Sequence, residues 1–123
     1  MPRSSLSDSK RQEIMKRDGF ACLICSLSIK IDSVPLIEIA HLWPDHKGGT
    51  TEVSNLISLC PNCHSLFDNK KGFWFDPDSC ELQIRDGIDG FDHNFDKQAH
   101  MLEVTTRGNR EARMKWAKGD PDF

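Results

Sequence analysis

Four cysteines set the first chemical possibility in this chain. Cys22-Leu23-Ile24-Cys25 and Cys60-Pro61-Asn62-Cys63 are two CxxC turns. Each turn presents two sulfurs from neighbouring positions, which is half of a tetrahedral shell. Four thiolates at about 2.3 Å complete a closed structural zinc site. A closed site has no open position, so such an ion holds chain together rather than reacting. The segment between the pairs is long, so zinc here would join two distant pieces and fix whatever lies between them. Buried thiols or a redox pair are the competing reading, and two matched turns fit it poorly. Cys80 falls outside the pattern and reads as a packing or partly exposed thiol.

A second group of residues lies between and beside the cysteines: His41, Asn55 and His64. Singly they say little. A histidine at a strand end is usually a satisfied polar residue, and Asn after Ser is usually a turn residue. Their order is more specific. Cys22-x-x-Cys25, Ala40-His41-Leu42-x-Pro44, Gly48-Gly49, Ser54-Asn55-Leu56, Leu59-Cys60-x-x-Cys63-His64 and Phe67-Asp68 together resemble an HNH endonuclease with the ββα-metal fold, over about residues 11–75.

The resemblance implies roles. His41 would be the general base that takes a proton from the attacking water, a task suited to an imidazole titrating near neutrality. Asn55 would orient that base and pin the loop, since an amide both donates and accepts. His64, expected to open a helix, would ligate a catalytic divalent metal that stabilises charge on phosphate and leaving oxygen. Asp68, four residues on, can share a helix face with His64 and is the candidate second ligand. The chain departs from the pattern at one position. Many HNH nucleases carry an acidic or histidine ligand immediately before the first His, and this chain has Ala40. Asp68, Asp45, His46, substrate oxygens or water would complete the shell. Glu38, on the strand face opposite His41, ranks lower. Mg2+, Mn2+, Ni2+ and Zn2+ all suit a mixed nitrogen–oxygen site to different degrees.

The elements that must position these groups follow from patterning. Ser7 or Asp8 caps a helix running to about Arg17. Residues 26–35 read as a loop closed by Pro35. Leu36 to Leu42 alternates as a strand, and Leu56 to Leu59 forms a second one. Trp43 to Ser54 is a loop broken by Pro44 and Gly48-Gly49. Cys60 to Cys63 reads as a tight turn, with a helix from His64 to about Asn69. Phe73 to Phe75 and Leu82 to Ile84 flank Asp76-Pro77-Asp78-Ser79 as a hairpin. Residues 86–106 carry no clear pattern, and Arg110 to Lys118 forms a helix. The expected class is α+β: a ββα-metal core with a four-cysteine zinc site, flanked by N- and C-terminal helices and a small hairpin. At 123 residues the chain makes one domain, with a matched core and an extension over 76–123.

Composition narrows the setting. No apolar run is long enough to span a membrane, and the N-terminal stretch has no apolar signal-peptide core. The expectation is an intracellular, cytoplasmic protein whose cysteines favour metal over disulfides. The net charge of -3 does not advertise a nucleic-acid binder. DNA contact would have to use local patches, namely Arg107, Arg110, Arg113, Lys115 and Lys118, the loop residue Lys47, and the group Lys10, Arg11, Lys16, Arg17. The acidic spacing Asp86, Asp89, Asp92 lacks the alternation of a calcium loop and reads as a solvated turn. A metal-dependent DNA endonuclease is the leading expectation. The alternative is a zinc-stabilised nucleic-acid-binding or adaptor module without turnover. So short a chain leaves little room for a specificity domain, which a homodimer mate or a partner protein would supply.

Overall fold

Ser7 starts the first helix: its hydroxyl accepts from the Lys10 N–H at 3.1 Å, satisfying a free donor of the first turn. Helix α1 then spans Asp8–Arg17. The computed structural model describes residues 7–68, 72–76, 78–88 and 95–119. The Asp18 carboxylate, fully buried at the end of α1, accepts from the Arg17 Nε at 2.7 Å and from the Ser58 N–H at 2.9 Å. A buried charge paired and bonded in this way is tolerated, where a lone one would be expelled. Arg17 also donates to the carbonyls of Val53 at 2.8 Å and Leu56 at 2.6 Å, so α1 grips the chain leading into the second long strand.

After the first CxxC turn comes a small hairpin, β1 (Lys30–Ile31) with β2 (Val34–Pro35). The sequence reading made this segment a loop. The turn residues Asp32 and Ser33 both have positive φ, 51° and 68°. A two-residue turn of that hand matches strand twist, but it is usually signalled by Asn-Gly or Asp-Gly, which Asp-Ser is not.

Strand β3 (Glu38–His41) pairs antiparallel with β4 (Leu56–Leu59), setting Glu38 opposite Leu59 and His41 opposite Leu56. Helix α2 (Pro61–Asp68) follows β4 directly, which completes strand–strand–helix order. The expected helix start at His64 is corrected. The His64 N–H donates to the Cys60 carbonyl at 2.8 Å, so the second CxxC turn is already the first turn of α2. Pro61 sits at the first helical position, where its missing N–H costs nothing and its fixed φ helps.

A second hairpin, β5 (Phe73–Phe75) with β6 (Leu82–Ile84), forms as expected. Phe67 of α2 meets the rings of Phe73 and Phe75 with centroids 6.4 and 6.3 Å away. All three are buried, at roughly 1.5–3 kcal/mol each from removing such a side chain from water. Within 86–106, where no pattern was legible, helix α3 spans Phe95–Val104; residues 89–94 lie outside those described. Helix α4 spans Arg107–Ala117, a turn earlier than expected, because the Thr106 hydroxyl accepts from the Asn109 N–H at 3.2 Å. α4 packs on β5, and one core runs from Met15 through Leu23, Ile57 and Phe67 to Met101. The class is α+β. No helix among the described residues is long and apolar enough to cross a membrane.

Candidate active site and structural metal centre

The ββα unit brings the two CxxC turns together. The Leu23 N–H donates to the Ser58 carbonyl at 2.9 Å, docking the first turn against β4 just before the second. The sulfurs of Cys22, Cys25, Cys60 and Cys63 all lie within 4.8 Å of one another, and Cys25 Sγ is 3.7 Å from Cys60 Sγ. Thiolates on one tetrahedral zinc are separated by about 3.8 Å, given bonds of about 2.3 Å. In each turn a backbone N–H faces the first sulfur: Cys25 N to Cys22 Sγ at 3.5 Å, and Cys63 N to Cys60 Sγ at 3.4 Å. The crowded sulfurs resist ionising together. A hydrogen bond from Cys63 lowers the Cys22 thiol to about 5, whereas burial pushes Cys25 up to about 11. Cys63 is pushed up by giving that bond and by burial. A dication is the charge that would let all four be thiolates, so the donor set fits zinc.

Beside α2 lies a cleft of about 490 Å³, lined by His41, His64 and Asp68 together with Arg11 of α1 and Arg113 and Trp116 of α4. His41 is half-buried at the end of β3 and shares its strand face with Ile39, which also lines the cleft. Asp45 and His46, the loop candidates for a metal shell, reach the same cleft. Ala40 points the other way and is buried in the core.

Asn55 does not line the cleft. Its amide is buried, at 1% exposure, and clamps the long loop: Oδ1 accepts from the Trp43 N–H at 2.7 Å, and Nδ2 donates to the carbonyls of Trp43 at 3.2 Å and Thr50 at 2.8 Å. The Asn55 carbonyl accepts from the Leu42 N–H at 2.9 Å. These bonds fix the backbone immediately after His41. Gly49 closes that loop against Trp43, whose carbonyl oxygen stands 1.8 Å from where a Cβ would be. Only glycine fits there.

His64 sits between two carboxylates. Nδ1 is 2.6 Å from Glu38 Oε1, and Nε2 is 3.1 Å from Asp68 Oδ2. The bond to Asp68, with help from Glu38, holds the imidazole pKa above its usual value against the effect of burial. Burial pushes the Asp68 carboxyl upward, but the bonds from His64 and Arg113 outweigh it and leave the acid below the usual carboxylate range. Arg113 Nη2 donates to Asp68 Oδ1 at 3.0 Å, and its guanidinium lies 3.7 Å over the Phe67 ring and 4.4 Å over that of Trp116. Burial lowers this guanidinium to about 10, which still leaves it charged at neutral pH.

His64 Nε2 and Asp68 Oδ2 are the two cleft donors that converge. Among the described residues no third His, Cys, Asp or Glu joins them in a cluster. Two protein donors with the remaining positions open suit a hard cation that keeps waters and takes substrate oxygens.

The basic residues expected to hold nucleic acid divide. Lys47, Lys115 and Lys118 are exposed. Arg107 is exposed and pairs with Glu111 at 2.9 Å. Arg110 donates to the carbonyls of Leu102 and Thr105, closing the end of α3. Arg113 is corrected from a surface contact to an internal one, since it is 2% exposed and committed to Asp68 and two aromatic rings. Sequence reasoning missed Glu38 and Arg113 as neighbours of the site. Glu38 was set aside for facing away from His41; it does, but that side is where His64 approaches. Arg113 gave no signal, because a basic helix reads the same whether one of its cations turns inward or not.

The comparisons agree with this geometry. Residues 22–70 match the family model described as HNH endonuclease. The chain is similar to anaredoxin of Nostoc sp. (strain PCC 7120 / SAG 25.82 / UTEX 2576), with 24% identity over 58 residues, covering 46% of this chain and 68% of that protein. Its fold is similar to that of a solved modification-dependent TagI restriction endonuclease, with a TM-score of 0.51 at 21% identity. That likeness covers 80% of this chain, which spans only 39% of the restriction enzyme's length.

Proposed function

We propose, from the premise that residues 22–70 are an HNH endonuclease segment, that this chain hydrolyses DNA phosphodiester bonds in the cleft between β3, α2 and α4. The observation that carries the reading is the convergence of His41, His64 and Asp68 on one cleft, with the loop after His41 clamped by Asn55. His41 takes the proton from the attacking water. Asn55 holds the loop that aims His41. His64 and Asp68 would hold a divalent ion, which would supply charge stabilisation at the phosphate. Arg11, on the cleft wall, offers a cation to the phosphate backbone, and Lys47, Lys115 and Lys118 add exposed positive charge. Contacts of that kind position a duplex without reading its sequence. A zinc on the four cysteines would tie the turn at Cys22–Cys25 to the start of α2 and would take no part in the chemistry.

The test is a plasmid-nicking assay on zinc-replete protein with magnesium, manganese and nickel screened. Wild type nicks and His41→Ala does not, with both equally folded. Equal activity in the two proteins would remove His41 from the reaction. A second reading has one observation behind it. Position 40, where many family members place a ligand, is a buried alanine, and two protein donors are few for a catalytic ion. On that reading the chain is a zinc-held nucleic-acid-binding module. Retained DNA binding with no cleavage under any metal would favour it.

A further inference from the structure

We propose that Glu38 and Arg113 are positioning residues for the ion-binding pair, each bonding the ligand atom that does not face the other ligand. This rests on the reading of His64 and Asp68 as the ligands. The two ring nitrogens of a histidine are distinct, and the bond made by one decides what the other can do. Glu38 Oε1 lies 2.6 Å from His64 Nδ1. A carboxylate only accepts, so Nδ1 donates to Glu38 and Nε2 is the nitrogen left for an ion. That nitrogen faces Asp68 Oδ2 at 3.1 Å. Two donors on one ion, each at about 2.1 Å, stand about 3–3.5 Å apart, so the pair is set as two neighbouring ligands. Metal-binding histidines generally give their second N–H to such an outer partner, and losing that partner weakens metal binding about 10–100-fold.

Asp68 needs the same help. Its side chain is 55% exposed and would otherwise sample several rotamers. Arg113 Nη2 takes Oδ1 at 3.0 Å and leaves Oδ2 toward His64. Arg113 itself is held by burial and by the rings of Phe67 and Trp116. Its position in α4, outside residues 22–70, makes the C-terminal extension part of the active centre. Glu38 and Arg113 carry opposite charges and cancel, which leaves the negative charge of Asp68 for the ion.

A half-exposed ion pair that merely stabilised the fold would be worth about 0–1 kcal/mol and would have no bearing on metal. The test separates the two roles. Zinc-replete full-length protein is titrated with Mn2+ and free ion is read by electron paramagnetic resonance, with zinc content and thermal melting as fold checks. Glu38→Ala is expected to weaken Mn2+ binding about 10-fold or more with its melt scarcely moved. Glu38→Gln, whose amide oxygen can still accept from Nδ1, recovers most of the affinity. Arg113→Lys weakens binding as well; if it loses zinc and unfolds, Glu38→Ala decides. Wild-type Mn2+ affinity in Glu38→Ala, with His64→Ala abolishing binding, overturns the positioning role and leaves the ion site standing. Unchanged affinity in His64→Ala, or no uptake by wild type, removes the ligand reading and this proposal with it.

Discussion

The thiolate cluster and the cleft share helix α2 and are assembled in different ways. The cluster takes all four donors from two short turns, and each turn supplies two sulfurs and an N–H facing one of them. The cleft takes His41 from β3, His64 and Asp68 from α2, Arg11 from α1 and Arg113 from α4. His64 and Asp68 are held by residues far away in sequence: Glu38 is 26 positions from His64, and Arg113 is 45 from Asp68. The cluster is closed and its donors are alike. The cleft is open and its donors are mixed. A closed site spends its binding energy on the fold, while an open one leaves coordination positions for substrate. The difference predicts that damage to the cluster is read in stability and damage to the cleft in turnover.

The largest expected effect is on the cluster. Structural zinc binding is worth about 10–16 kcal/mol in small zinc-held units, as much as the whole stability of a domain at about 5–15 kcal/mol. Cys60→Ser should therefore lose both the ion and the cooperative melt, measured by zinc content and circular dichroism; a wild-type melt without zinc would break the contrast. Next is His41→Ala, which should lower nicking about 10²–10⁴-fold while the melting temperature stays within a few degrees. A variant that both unfolds and stops cutting would show that the cleft, too, holds the fold together.

Asn55 lies between the two regions in effect. Asn55→Ala removes the three hydrogen bonds that the buried amide makes to the backbone of Trp43 and Thr50. The cost is about 1–3 kcal/mol, read by urea denaturation, with nicking reduced as well because the loop beside His41 loosens.

A smaller effect is on pH. His64 has its pKa raised above 6.5, chiefly by Asp68. In the protein without the cleft ion, that pairing contributes fully below the unfolded value and is lost as pH rises through the folded value. The ion competes with the same proton, so Mn2+ affinity should fall as pH drops through the raised His64 value, by up to about tenfold per pH unit. A pH-independent affinity would take His64 out of the shell. The smallest effect is at the exposed lysines. Lys115→Ala and Lys118→Ala should each reduce the salt dependence of DNA binding by about one charge and leave nicking at low salt nearly unchanged.

Much of the core was legible because its signals are local. Ser7 capping, the alternation before His41, the apolar run Leu56 to Leu59 and the two CxxC turns each declare themselves within a few residues. The hairpin at 30–35 was not, since its turn uses Asp32 and Ser33 in a left-handed conformation that glycine or asparagine usually announces. The start of α2 was misplaced because the same four residues serve as both metal turn and first helical turn. α3 was hidden because its acidic flank gives no cap or period to read. Among the site residues, His41, His64 and Asp68 were named by pattern, and the structure brings all three to one cleft. Asn55 was named as orienting the base, and in the structure its amide grips the loop backbone at Trp43 and Thr50.

By itself the sequence determined the residue types and the spacing: four thiols in two matched turns, and a histidine followed four residues later by an aspartate on one helix. Those are near-neighbour relations, settled by turn geometry and helical pitch. The tertiary structure decided which carboxylate meets each nitrogen of His64, which way Arg113 turns, and that Glu38 of β3 meets α2. These depend on how α2 packs against β3 and how α4 packs against β5. Packing is set by the fit of the whole core, and no single segment carries it.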